Sequence, residues 1–105
     1  MSAPEVTEHR LGPADALPVG EGRAYAVGDE QVAVFRLRDG TLRAVTAICP
    51  HAGGPLADGM ADTGKLVCPL HNHTFSLADG ACLNGPFSVR VFPVREADGQ
   101  LLLEM

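Results

Sequence analysis

Ile48-Cys49-Pro50-His51-Ala52-Gly53-Gly54-Pro55-Leu56 and Val67-Cys68-Pro69-Leu70-His71 are the two stretches that decide how this chain is read. Each places a thiol and an imidazole within a few residues, and 16 residues separate His51 from Cys68. Two loops built this way bring two sulfurs and two nitrogens to one point, a donor set that suits a bound metal. Such a set serves tetrahedral zinc, and it equally serves a two-iron centre with Cys49 and Cys68 on one iron and His51 and His71 on the other. Spacing alone leaves both open, and His73, two residues beyond His71, offers an alternative nitrogen.

Outward from these runs the chain reads as strand. Gln31 to Arg38 and Thr41 to Ile48 are apolar, partly alternating runs joined by Asp39-Gly40, a two-residue hairpin signal, and the second run leads directly into Cys49. Lys65 to Cys68 enters the second run, Thr74 to Leu77 leaves it, and Ala78-Asp79-Gly80 turns the chain into Ala81 to Leu83. Ser88 to Arg95 and Gln100 to Glu104 then pair around Ala97-Asp98-Gly99. With 12 Gly and 8 Pro punctuating runs too short for helices, an all-β antiparallel sandwich or barrel is predicted, with one helical turn at Pro13 to Leu17.

The pattern Cys-x-His, 16 residues, Cys-x-x-His resembles the ligand pattern of Rieske iron-sulfur proteins, and the likeness runs from Ile48 through Gly85-Pro86. It takes in Cys-Pro-His-Ala-Gly-Gly-Pro-Leu, Val-Cys-Pro-Leu-His, Phe75, Ala78-Asp79-Gly80 and the proline-containing loop. The flank Val32-Ala33-Val34-Phe35-Arg36-Leu37-Arg38-Asp39-Gly40 is similar to the small subunits of NAD(P)H-dependent nitrite reductases and their ferredoxin-like relatives. The resemblance implies a Rieske-type fold over residues 1–105 as a single domain, with cluster-binding loops at about 48–56 and 67–76 and a proline loop at about 84–87. It also implies one 2Fe-2S cluster, Cys49 and Cys68 on the inner iron and His51 and His71 on the outer one.

Two thiolates and two neutral imidazoles leave an oxidised cluster near zero charge, so an electron is accepted more readily than by a four-cysteine cluster. Each imidazole keeps one nitrogen free to donate or lose a proton, which predicts pH-linked reduction at alkaline pH. High-potential members of the family add a Cys to each ligand loop and hydroxyl donors after the second His. This chain has Leu70 and Gly53-Gly54 near the places of the extra cysteines, and His73 and Phe75 in place of the hydroxyls. Fewer donors to the sulfurs predict a potential at the low end of the Rieske range. Asn72 stands where the family commonly has Gly, and Asn is the best non-glycine substitute for a left-handed turn.

Charge and composition narrow the function. A net charge of -5 with no basic run disfavours nucleic acid, and no apolar stretch reaches the length of a membrane span. Three cysteines, two of them in the ligand pattern, argue against a secreted disulfide scaffold, so a cytoplasmic protein is expected. Neither Ala44 to Ala57 nor Leu66 to Ala78 contains a charged residue, which predicts an uncharged tip. Pro50, Leu56, Pro69, Leu70, Pro86 and Phe87 are its candidate water-excluding side chains. Cys82 reads as a small buried strand residue, His9 as surface, and Tyr25, Phe35, Phe87 and Phe92 as packing.

A ring-hydroxylating oxygenase also carries such a domain, but it needs a separate iron held by two His and a carboxylate. Beyond His51 and His71 only His9 and His73 remain, so the chain is expected to carry electrons without binding an organic substrate. The expected partners are a flavin or NAD(P)H-dependent reductase with a terminal oxygenase, or the large subunit of a nitrite reductase.

Overall fold

A computed structural model describes residues 7–48, 55–62, 64–68 and 73–105. Among the described residues ten strands are linked by turns and two short 3-10 turns, at Ala14–Ala16 and Leu56–Asp58. The four-stranded antiparallel sheet has the order β2 (Gly22–Val27), β3 (Glu30–Arg36), β4 (Leu42–Thr46) and β8 (Val91–Phe92). A three-stranded sheet joins β1 (Glu8–Pro13), β10 (Gln100–Glu104) and β9 (Val94–Ala97), and another joins β5 (Met60–Asp62), β6 (Lys65–Val67) and β7 (Thr74–Ser76). The all-β antiparallel expectation therefore holds, as does the single turn predicted near Pro13.

β3 explains how the sheets stack. Its residues Val32-Ala33-Val34-Phe35 are all buried, and alternate side chains go to opposite faces of a strand. Val32 and Val34 pack with Ala44, Phe92, Leu101 and Leu103 on one side. Ala33 and Phe35 pack with Val45, Leu66, Phe75 and Leu77 on the other. A continuous apolar run is what a strand covered on both faces requires. Gly22 on β2 admits the 3-10 turn Leu56–Asp58 at close range, because a Cβ there would collide with the Phe35 ring and the Ala57 carbonyl. Arg36 ties down the other 3-10 turn, its Nε donating to the Leu17 carbonyl at 2.8 Å and a terminal nitrogen to that of Ala14 at 3.2 Å.

Several expectations need correction. Strands β1, β2 and β5 were not among those predicted, and half-buried His9 lies within β1, opposite Leu103. Ser88 to Arg95 is not one strand: Pro93 separates β8, which pairs with β4, from β9, which pairs with β10. Lacking an N–H, proline fits the point where the chain changes sheets. Ala81 to Leu83 forms only isolated bridges, Phe75 to Cys82 and Ala81 to Ser88. The β3–β4 connection is a residue longer than predicted, since Leu37 N–H donates to the Thr41 carbonyl at 2.8 Å and encloses Arg38, Asp39 and Gly40. Hydrogen bonds from the Thr41 side chain and amide hold the exposed Asp39 carboxyl below the usual carboxylate range.

Gly80 closes the turn after β7. Its φ is +81°, and a Cβ would drive into the Val89 carbonyl, whereas Gly40, at φ +88°, has open space. Gly80→Ala is expected to lower stability by roughly 2–4 kcal/mol, from the left-handed backbone and the overlap together. Gly40→Ala is expected to cost only the backbone part, about 1–2 kcal/mol. Urea denaturation of both variants checks the order.

Candidate metal centre

Two chain segments and one connecting loop build the frame around the Cys/His runs. The first run departs from the end of β4: Ile48 bridges Pro55, and Leu56 N–H donates to the Ala47 carbonyl at 2.8 Å. The chain is thereby pinned on both sides of residues 49–54. The second run rises from β6 and returns into β7. Val67 pairs with Thr74, and Cys68 N–H donates to the His73 carbonyl at 2.8 Å. The two roots share one core, since Ala47, Leu56, Leu66, Cys68 and Phe75 belong to the same buried cluster. Both runs therefore start from the same side of the four-stranded sheet.

Of the predicted ligands, Cys68 lies among the described residues. Its thiol is free and 1% exposed, packed in that cluster at the exact base of the second run. Cys49, His51 and His71 lie outside the described residues, as do Pro50, Gly53, Gly54, Pro69, Leu70 and Asn72. Among the described residues no three His, Cys, Asp or Glu side chains gather into a metal-binding group.

The third segment is the proline loop. Cys82 N–H donates to the Phe87 carbonyl at 2.9 Å, closing the loop at its neck. Leu83 N–H donates to the Thr74 carbonyl at 2.7 Å, and Thr74 N–H donates to Asn84 Oδ1 at 3.0 Å. His73 packs edge-on against Phe87, with centroids 5.3 Å apart and rings at 89°. Gly85 is needed here because a Cβ would press on His73 and Phe87 at 3.2 Å each. His73 thus packs against the proline loop. Cys82 is half-buried against the same core.

The frame carries no formal charge. Ala47, Ile48, Pro55, Leu56, Val67, Cys68, His73 and Thr74 at the roots, and residues 82–88 of the proline loop, include no Asp, Glu, Lys or Arg. Ile48 is 46% exposed and Leu83 55%, so apolar surface flanks the frame. Leu56, one of the candidate water-excluding side chains, is fully buried in the core cluster that the two roots share. Pro86 is exposed and Phe87 half-buried. A buried thiol at a loop base, in a frame whose named residues carry no formal charge, fits a sulfur ligand of a centre whose charge is near zero.

Comparison with known proteins agrees with this donor chemistry. The family profile of the Rieske 2Fe-2S domain matches residues 7–95. The chain is 36% identical over 95 residues to the anthranilate 1,2-dioxygenase ferredoxin subunit of Burkholderia cepacia, covering 89% of this chain and 87% of that protein. It superposes on a crystal structure assigned as the NADH-dependent nitrite reductase small subunit of Mycobacterium tuberculosis with a TM-score of 0.88 and 31% identity, covering 97% of each chain. The ferredoxin of carbazole 1,9a-dioxygenase from Nocardioides aromaticivorans IC177 superposes with a TM-score of 0.82 and 29% identity, covering 92% of this chain and 96% of that one. The chain also matches longer proteins, of which it spans between 13% and 55%.

Proposed function

Because the chain belongs to the Rieske 2Fe-2S domain family, whose cluster is its cofactor, we propose that it is a one-electron carrier serving as the ferredoxin component of a multicomponent oxidoreductase. The observation that carries this reading is the free, buried Cys68 at the base of a run pinned at both roots, in a frame without charge. Cys49, His51, Cys68 and His71 are the proposed ligands. Residues 1–105 are read as one domain, with cluster loops at about 48–56 and 67–76 and the proline loop at about 84–87.

Bound there, the cluster would supply one-electron chemistry near the low end of the range from about -150 to +300 mV. The protein's own part is to hold the roots rigid and keep water from the sulfurs. Leu56 and Phe75 are fully buried in the core that the roots share, and Phe87 packs against it from the proline loop. Phe75 has no hydroxyl, so it gives no hydrogen bond to stabilise a reduced centre, in line with a low potential. Ile48 and Leu83 offer apolar surface for transient docking.

The proposed partners are a flavin or NAD(P)H-dependent reductase and a terminal oxygenase, the setting in which the Burkholderia cepacia relative is a ferredoxin subunit. In this role the chain has no catalytic residue and works in the cytoplasm. Among the described residues no helix is long and apolar enough to cross a membrane. A second reading, small subunit of an NAD(P)H-dependent nitrite reductase, is favoured by the close superposition on the Mycobacterium tuberculosis structure.

Redox titration tests the proposal. The expected result is a one-electron wave with a midpoint below zero; a midpoint well above zero overturns the low-potential carrier. Stable co-purification with a large flavin and sirohaem protein would favour the subunit role, and transient docking the ferredoxin role.

A further inference from the structure

The chain leaves β7 and its partner segment in an unusual way. Ser76 N–H donates to the Ala81 carbonyl at 2.8 Å and Leu83 N–H to the Thr74 carbonyl at 2.7 Å, the alternating bonds of an antiparallel ladder. The next acceptor in register for Thr74 N–H would be the Leu83 carbonyl. Asn84 Oδ1 takes that bond instead, at 3.0 Å, and also accepts from the Cys82 thiol at 3.3 Å. A side-chain carboxamide replacing a ladder carbonyl lets the backbone turn away at Leu83 without leaving the Thr74 amide unbonded. The segment released from the ladder folds back at once: Gly85 lies tight against His73, Phe87 and Cys82, and Phe87 meets the His73 ring.

We propose that Asn84 is a positioning residue: its carboxamide oxygen latches the proline loop to the first residue of β7, so that this loop and the root of the second Cys/His run are held as one unit. The latch rests on the carrier reading for its purpose, though the bonds themselves belong to the fold. Thr74 has both backbone groups committed to residues 83 and 84, and its neighbour His73 gives its carbonyl to Cys68. A continuous set of hydrogen bonds therefore runs from the proline loop through Thr74 and His73 to the buried ligand cysteine. Loosening one end raises solvent access at the other.

The test compares cluster-loaded wild type, Asn84→Ala and Asn84→Asp. Three quantities are read: loss of visible absorbance in excess chelator, the EPR spectrum of the reduced protein, and hydrogen exchange at the Thr74 amide. Asn84→Ala is expected to lose its cluster roughly five to ten times faster, the factor matching about one net hydrogen bond, with a shifted EPR spectrum and faster Thr74 exchange. Asn84→Asp keeps an oxygen in the same place and is expected to restore slow exchange and slow cluster loss. If Asn84→Ala speeds Thr74 exchange yet leaves cluster loss and the EPR spectrum unchanged, the bond is only structural and the proposal is overturned. If Asn84→Asp fails to restore protection, the acceptor role is overturned. A wild type that never holds iron and sulfide overturns the carrier reading itself, a result separable from the others because Thr74 exchange still reports the bond in that protein.

Discussion

Cys68→Ser is expected to abolish the bound cluster, with iron and acid-labile sulfide falling to near zero while the β framework stays folded. Cys68 is 1% exposed and sits where β6 gives way to the second run. Its amide is bound to the His73 carbonyl, so the position of the side chain is fixed by backbone bonds that serine keeps. What changes is the donor: a soft thiolate becomes a poorly ionised hydroxyl, a much weaker ligand for a sulfur-bridged iron centre. The stability cost is that of a polar group in an apolar cluster, about 1–3 kcal/mol, which is smaller than the loss of a ligand to the cofactor. Iron analysis with circular dichroism separates the two effects. Full cluster content in the variant would show that Cys68 is not a ligand.

Phe75→Ala is the substitution with the largest expected effect on stability. Phe75 is fully buried, pairs with Leu66 across β6 and bridges Cys82, and packs with Leu56, Cys68 and Leu77. Removing the ring leaves a cavity in the core that the roots of both runs share, at a cost of about 3–5 kcal/mol. Domains of this size have about 5–15 kcal/mol in total, so the variant should unfold at much lower urea and release its cluster on mild warming. A stability loss under about 1 kcal/mol would mean that the three-stranded sheet collapses around the gap, contrary to the packing described.

What was legible in the sequence follows the physics of each element. Val32-Ala33-Val34-Phe35 announced itself because a strand buried on both faces is apolar throughout. β1 did not, since Glu8-His9-Arg10-Leu11-Gly12-Pro13 has a single aliphatic residue and becomes a strand by pairing with β10. β2 hides behind Ala24 and Ala26, poor strand formers held in place by β3. Two Asp-Gly pairs show the limit of a local signal. Asp98 and Gly99 both have positive φ, 53° and 75°, and form the two-residue turn between β9 and β10. Asp39-Gly40 carries the same letters, yet only Gly40 has positive φ, and the loop is three residues long because Leu37 closes onto Thr41.

The family could be read from the sequence because the type and spacing of Cys and His are local properties of two short runs. The support around it was not. The stretch at about 84–87 reads as the proline loop by resemblance, but the bond made by Asn84 depends on Thr74, ten residues away, presenting its amide at a strand end. An Asn placed just before Gly-Pro is a usable hint, since its carboxamide can stand in for a backbone acceptor where a ladder stops. Leu56, one of the candidate water-excluding side chains, is fully buried at the start of the 3-10 turn Leu56–Asp58.

EPR of the purified protein before and after dithionite, with iron, sulfide and zinc measured on the same sample, decides whether the chain holds a Rieske cluster. The expected result is a red-brown protein with two irons and two sulfides per chain, silent when oxidised and showing a rhombic signal when reduced. A colourless protein holding one zinc, which cluster reconstitution cannot replace, would contradict it and make the Cys/His set a structural metal site.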